Sequence, residues 1–296
     1  MSALHIHRIG DSELIITDKG TIYHLDIAPE QLADTIVLVG DPNRVKEVSK
    51  HFDKTLYKAA HREFITHTGL IGKKKISVIS TGIGTDNIDI VVNELDALVN
   101  IDFKTRAIKA NTKSLNIIRL GTCGALQQST PVDSMVASSY AIGLDNLMHY
   151  YPTRNNTDEQ FILHEFNIHT RLQNTPIQPY ITEASIQLRK HFGNEFLHGI
   201  TVTSPGFYAP QGRLLRGPLQ HPNLIDSLTS FNSRNMQVLN MEMETSGLYG
   251  LCKVLGHHCM SVSTVSNNRS TMQFSANMNR AVDKMIQHCL AIIEGI

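Results

Sequence analysis

The chain has 296 residues, enough to bury a sizeable core, and its 41% apolar and 18% charged residues are those of an ordinary globule. Lysine plus arginine and aspartate plus glutamate each number 27, so no basic excess points to nucleic acid or to an anionic membrane surface. No apolar run reaches the length of a membrane span, and the N-terminus, Met1-Ser2-Ala3-Leu4-His5, lacks the apolar region of a signal peptide.

The β-branched run Thr35-Ile36-Val37-Leu38-Val39 predicts a buried strand, with a helix opening at Pro42. Lys75 to Ser80 predicts a second strand. Ile88, Val91, Val92, Leu95, Leu98 and Val99 then recur at helical spacing. Leu115 to Leu120 predicts a third strand. Residues 145–182 are polar, rich in Asn, Thr, Gln and His, and read as an insertion on the rim. A strand at 199–203, a helix near 243–255, a strand near 259–265 and a closing helix near 276–294 complete the pattern. This alternation predicts an α/β fold, a mixed or parallel sheet with helices on both faces. No linker rich in Pro, Gly or Ser interrupts it, so a single domain over 1–296 is expected.

The four cysteines, Cys123, Cys252, Cys259 and Cys289, form no CxxC pair. A reducing cytoplasm with free thiols is expected, and the sequon Asn155-Asn156-Thr157 then carries nothing.

Candidate chemistry gathers where strands end, the usual ligand position of α/β folds. After the first strand, Gly40-Asp41-Pro42-Asn43-Arg44 offers a close backbone approach, a helix N-terminus and an arginine, which together suit an anion. Arg119-Leu120-Gly121-Thr122-Cys123-Gly124 reads the same way, as a small-residue turn after a strand. Two such loops with two arginines suit a phosphate dianion, although either is also an ordinary strand-end turn. Thr81-Gly82-Ile83-Gly84-Thr85-Asp86-Asn87 resembles half a dinucleotide fingerprint. Asn87 stands at the third glycine position and there is no Walker lysine, which disfavours a nicotinamide enzyme.

In Met241-Glu242-Met243-Glu244, two carboxylates at i and i+2 suit a ribose cis-diol, with a thioether floor for the sugar between them. The alternative is a Met-rich core strand running into a helix cap. The loop Phe207-Tyr208-Ala209-Pro210-Gln211-Gly212-Arg213 follows the strand at 199–203. A glutamine amide offers a donor beside an acceptor, and an arginine fork offers donors in a rigid plane. Together they complement the carbonyl, N–H, carbonyl edge of uracil, with Phe207 to stack on the ring. A polar surface loop is the plainer alternative.

These motifs, in order and spacing, resemble the uridine phosphorylase branch of the nucleoside phosphorylase-I family from about Tyr23 to the last helix. The likeness is strongest at Gly40-Asp41-Pro42-Asn43-Arg44-Val45, His61-Arg62-Glu63-Phe64, Thr81-Gly82-Ile83-Gly84, Arg119-Leu120-Gly121-Thr122 and Met241-Glu242-Met243-Glu244. Purine-directed relatives usually carry an aspartate near the last strand, where this chain reads Ser266-Asn267-Asn268-Arg269.

The resemblance implies a single-domain, three-layer α/β/α fold with a central mixed sheet. It implies reversible phosphorolysis of uridine to uracil and ribose 1-phosphate, with inorganic phosphate as co-substrate and no required cofactor. Gly40, Arg44, Arg119 and Thr122 would hold phosphate, joined by Arg62 from a neighbouring subunit. His24, also crossing a subunit boundary, Glu242, Met243 and Glu244 would hold ribose. Phe207, Gln211 and Arg213 would hold uracil, with Arg269 behind Arg213. Catalysis would fall to Arg119, Arg213 and Glu244, in a homo-oligomer that is at least a dimer.

Two departures stand out. Cys123 replaces a common threonine, and Asn87 replaces a serine of an inter-subunit cation site whose carboxylate matches Glu63. Asp86 and Asp89 make that set oxygen-rich, suited to Ca²⁺ as well as K⁺, and a solvated helix start explains the same residues equally well. The insertion inclines the expectation towards a dimer over a hexamer. The rival readings are a purine nucleoside phosphorylase, a nucleosidase of the same fold, and a non-catalytic nucleoside-binding protein.

Overall fold

The computed structural model describes residues 8–296, so the N-terminal segment read above for a signal peptide lies outside them. The chain folds as two compact units, one of residues up to Gly82 with Ile90–Asn116, the other of Ile83–Asp89 with Ile117–Ile296.

In the first unit, β1 (Thr35–Val39) is followed by α1 (Pro42–Ser49). Asp41 caps this helix by accepting the Asn43 N–H at 2.8 Å, Pro42 sets its first turn, and Val45 and Val48 are buried. Strands β2 (Lys54–His61), β3 (Phe64–Ile71) and β4 (Lys74–Ser80) make an antiparallel meander, and β1 lies parallel to β4. Helix α2 (Thr85–Asn100), which belongs to this unit from Ile90 onward, buries Ile88, Val91, Val92, Leu95 and Leu98, five of the six residues its spacing predicts, with Val99 half-buried. A short hairpin of β5 (Ile101–Asp102) and β6 (Ala107–Ile108) ends the unit.

The second unit contains β7 (Asn116–Ala125), β8 (Met135–Gly143), α3 (Thr157–Thr170), β9 (Tyr180–Glu183), α4 (Ile186–Arg189) and β10 (Leu197–Thr203). It continues with α5 (Leu224–Ser230), β11 (Asn232–Ser233), β12 (Met236–Glu242), α6 (Thr245–Leu255), β13 (His258–Asn268), β14 (Gln273–Phe274) and α7 (Met278–Glu294). Its strands run in the order β11-β12-β10-β8-β13-β7, with β8, β10 and β12 parallel and β13 antiparallel to β8. β12 also pairs with β7, Asn240 with Ala125 and Met241 with Gly124, which closes five strands on themselves. The mixed α/β character follows the predicted alternation, but nothing in the periodicity announces this closure.

The same pairing corrects the expectation of a turn at Gly121–Gly124. Those small residues stay in β7, because β12 supplies ladder partners up to Ala125.

The 145–182 stretch, polar in sequence, contributes to the core. Asn156 and Glu159 form a reciprocal cap at the start of α3, with bonds of 2.8 and 2.7 Å. Ile162, Phe166, Leu172 and Ile181 pack into the core with Tyr140, Ile142 and Phe231, and β9 extends the sheet from β8. Its polar residues cap and face solvent, while its few apolar ones are spaced to meet the sheet. Among the described residues no helix is long and apolar enough to cross a membrane, and all four cysteines are free and buried.

If α3 is core, Phe166→Ala should lower stability by about 3–5 kcal/mol in urea unfolding, the range for a buried phenylalanine. A loss below about 1 kcal/mol would make the segment peripheral.

Candidate active site

At the centre of the second unit an arginine lies buried between two carboxylates. Arg119, from β7, is 4% exposed. Its Nη2 donates to Glu244 Oε2, and its Nη1 stands 3.3 Å from Glu242 Oε2 and 3.5 Å from Ser263 Oγ. The guanidinium folds back over Gly121, where a Cβ would lie 2.0 Å from Nη1. Glycine at i+2 on the same strand face is what lets the side chain lie down there. Burial alone would lower the Arg119 pKa, but Glu244 and Glu242 hold it above its ordinary value.

Glu242 ends β12 and is held by the protein on every side. It accepts the Thr203 hydroxyl at 2.6 Å and the N–H groups of Glu244 and Thr245 at 2.9–3.0 Å, so it also caps α6. All of these partners donate to it. Glu244 takes Arg119 on one oxygen and the Gly84 N–H, at 2.7 Å, on the other. Burial raises its pKa, with Arg119 opposing and Glu242 adding to the shift. Met243 between them is half-buried, as is Thr122, whereas burial pushes the adjacent Cys123 thiol up to about 12. Residues assigned from sequence to phosphate and to ribose are therefore one ion-pair network.

The loop after β10 is built as a second polar cluster. Gln211, in a 3-10 turn, is 4% exposed. Arg213 donates through Nη1 to Gln211 Oε1 and to the Phe207 carbonyl, both at 2.6 Å, and its guanidinium lies 3.8 Å from the centre of the Phe207 ring. Arg269, at the end of β13, donates to the backbone carbonyls of Gln211 and Gly212. It braces the loop backbone, not the Arg213 side chain. Burial lowers the pKa of both arginines, and Arg269 lowers that of Arg213 further. The sequence therefore foretells this grouping, and the structure adds that Phe207 already carries a cation on its face.

In the first unit, Gly40 and the half-buried Arg44 flank the capped start of α1. His24 Nδ1 meets Glu94 Oε1 at 2.7 Å, and the same carboxylate takes the His24 and Leu25 N–H groups, which fixes the imidazole. Arg62 stands exposed at the β2–β3 turn with φ 53°, its guanidinium 5.7 Å from the Tyr23 ring. Glu63 beside it accepts the Ser80 hydroxyl on its backbone carbonyl at 2.5 Å. In the second unit, Asp89 accepts the Tyr151 hydroxyl at 2.5 Å.

Set beside known proteins, residues 34–294 match the family described as the phosphorylase superfamily. The chain belongs to that superfamily. It is 32% identical over 261 residues to the uridine phosphorylase of Thermococcus kodakarensis, covering 87% of this chain and 81% of that protein. It is 26% identical over 250 residues to a DeoD-type purine nucleoside phosphorylase of Shewanella denitrificans, covering 84% and 87%. A Trypanosoma brucei nucleoside phosphorylase, whose crystal structure is described as showing uridine phosphorylase activity, superposes with a TM-score of 0.88 at 31% identity, over 96% of this chain and 100% of that one. The resemblance read from the motifs is thus borne out at the level of family and fold, and the relatives' names divide over the base.

Sequence reasoning missed Gly84, Ser263 and Thr203 as partners of the Arg119 network. Gly84 lay in a loop read for its likeness to a dinucleotide fingerprint, and its glycine spacing was the available signal. Nothing in the linear sequence marks Thr203 or Ser263.

Gly121→Ala should cost about 1–3 kcal/mol by overpacking. Combined with Arg119→Ala, the same change should cost far less, a coupling that a double-mutant cycle in urea measures. Additive costs would show that Gly121 does not seat Arg119.

Proposed function

We propose that the chain catalyses the reversible phosphorolysis of uridine to uracil and ribose 1-phosphate, in pyrimidine nucleoside salvage. The observation that carries this reading is the Gln211–Arg213 pair, braced by Arg269. An amide donor beside an amide acceptor, with arginine donors next to them, matches the edge of uracil. It leaves groups unpaired against hypoxanthine. Uracil exchanges the internal Gln211–Arg213 bond for bonds of the same kind to the base, so few hydrogen bonds are lost on binding.

In this reading Glu244 takes the ribose hydroxyls, with Glu242 holding Arg119 in place and Met243 under the sugar. Arg119 and Thr122 are phosphate ligands, as are Gly40 and Arg44, with Arg62 and His24 reaching a partner's site. Phosphate attacks C1′ as the glycosidic bond breaks, through an oxocarbenium-like sugar, and no covalent enzyme intermediate is needed. Negative charge develops on the base carbonyls, where Arg213 donates. The arginines hold the nucleophile in line, the positioning part of the rate. The enzyme is cytoplasmic and at least dimeric, and Glu63 serves a cation between subunits.

Uridine should exceed inosine in kcat/KM by at least about 100-fold, because a site built to bond one edge rejects an analogue that leaves it unpaired. Arg213→Ala should lower uridine kcat/KM by about 100-fold or more. Inosine turnover matching uridine, or an unchanged Arg213→Ala enzyme, overturns the base assignment.

Shared sites make a separate prediction. Arg62→Ala and Arg119→Ala proteins, each nearly inactive, should regain activity when mixed under conditions that exchange subunits. No recovery despite demonstrated exchange means that each site is built from one chain.

A further inference from the structure

The 145–182 segment sends two side chains towards the Arg119 network. Tyr180, from β9, lies across Gly143, where a Cβ would stand 2.2 Å from the ring, so only glycine admits it. Its hydroxyl sits 2.9 and 2.8 Å from the two oxygens of Asp145 and 2.9 Å from Ser246 Oγ. Ser246 Oγ in turn donates to Asp145 at 3.2 Å, and the Leu147 N–H fixes the same carboxylate at 2.9 Å. Ser246 and Thr203 are fully buried, Tyr180 and Asp145 nearly so.

Ser246 lies in the first turn of α6, and its N–H donates to Thr203 Oγ1 at 2.9 Å. The Thr203 hydroxyl passes its single proton to Glu242 Oε1 at 2.6 Å. Glu242 then faces Arg119. The Thr203 oxygen takes the Ser246 N–H and its hydroxyl donates to Glu242, while between Tyr180 and Ser246 either hydroxyl can be the donor. The chain is continuous from Asp145 and Tyr180, through Ser246, Thr203 and Glu242, to the guanidinium.

We propose that Tyr180 and Asp145 are positioning residues for the reaction, acting through Ser246 and Thr203 to set the orientation of Glu242 and hence of Arg119. The proposal rests on the phosphorolysis reading above. Neither residue needs to touch a substrate. Asp145 and Tyr180 fix the seat of the first turn of α6, whose N–H groups and serine decide where Glu242 points. A guanidinium aimed wrongly by a fraction of an ångström loses much of its effect on rate while substrates still bind.

The test is steady-state kinetics of uridine phosphorolysis for wild type, Tyr180→Phe, Thr203→Val, Thr203→Ser and the Tyr180→Phe/Thr203→Val double variant, at a temperature where circular dichroism shows all of them folded. Tyr180→Phe keeps the ring over Gly143 and removes only the hydroxyl. Its kcat should fall about 10-fold or more with uridine KM within about twofold. Thr203→Val should do the same, Thr203→Ser should retain most activity, and the double variant should fall little below either single one, as links in series do. A merely structural role gives kcat within twofold of wild type, or single losses that multiply in the double variant, and either result overturns the proposal. A wild-type enzyme that does not turn uridine over overturns the functional reading and this proposal with it. An active wild type with an unaltered Tyr180→Phe enzyme overturns the proposal alone.

Discussion

Arg119 is a charge buried almost completely, and the rest of the second unit is arranged to make that tolerable. A lone guanidinium in such a place is prohibitive, and even a buried pair often fails to repay its desolvation. Here two carboxylates face one arginine. The excess negative charge is moderated by backbone N–H groups from the start of α6 and from Gly84, and by the Thr203 hydroxyl. Those donors come from β10, the start of α6 and the 83–89 segment, and Glu242 from the end of β12, so the ion-pair network fixes how these elements meet. An apolar core would stabilise the fold at least as well, which makes the network more readily understood as machinery than as a source of stability.

The Gln211–Arg213 loop depends on the same logic at lower cost. Gln211 is buried, but its amide is bonded within the loop, and Arg269 bonds backbone carbonyls that a free loop would give to water. Burial, and the nearby Arg269, lower the affinity of Arg213 for its proton, and Arg213 places its charge over the Phe207 face. The loop is therefore prepared to receive a group that accepts hydrogen bonds and carries negative charge.

Much of this was legible in the sequence, for reasons that differ by element. Thr35–Val39 and the residues of α2 declared themselves because each has one unbroken periodicity. Gln211 and Arg213 were legible because two positions separate them in one loop. β8 was not read as a strand, since Ser138, Ser139 and Tyr140 interrupt its apolar run, yet all nine residues are buried because neighbouring strands satisfy them. β7 was read too short because glycines usually end strands, and here the ladder with β12 outweighs that preference. The pairing of Arg119 with Glu242 and Glu244 was hidden in principle, since it joins residues far apart in the chain.

The central claim is that this buried arginine, with its two carboxylates and the Gln211–Arg213 loop, serves transfer of a ribosyl group from uracil to phosphate. The most direct measurement is ³¹P NMR of the enzyme with uridine and inorganic phosphate, followed alongside uracil release. The account predicts a ribose 1-phosphate resonance that grows one for one with uracil, and no uracil release when phosphate is withheld. Uracil release at the same rate without phosphate, or free ribose in place of the phosphate ester, would contradict it.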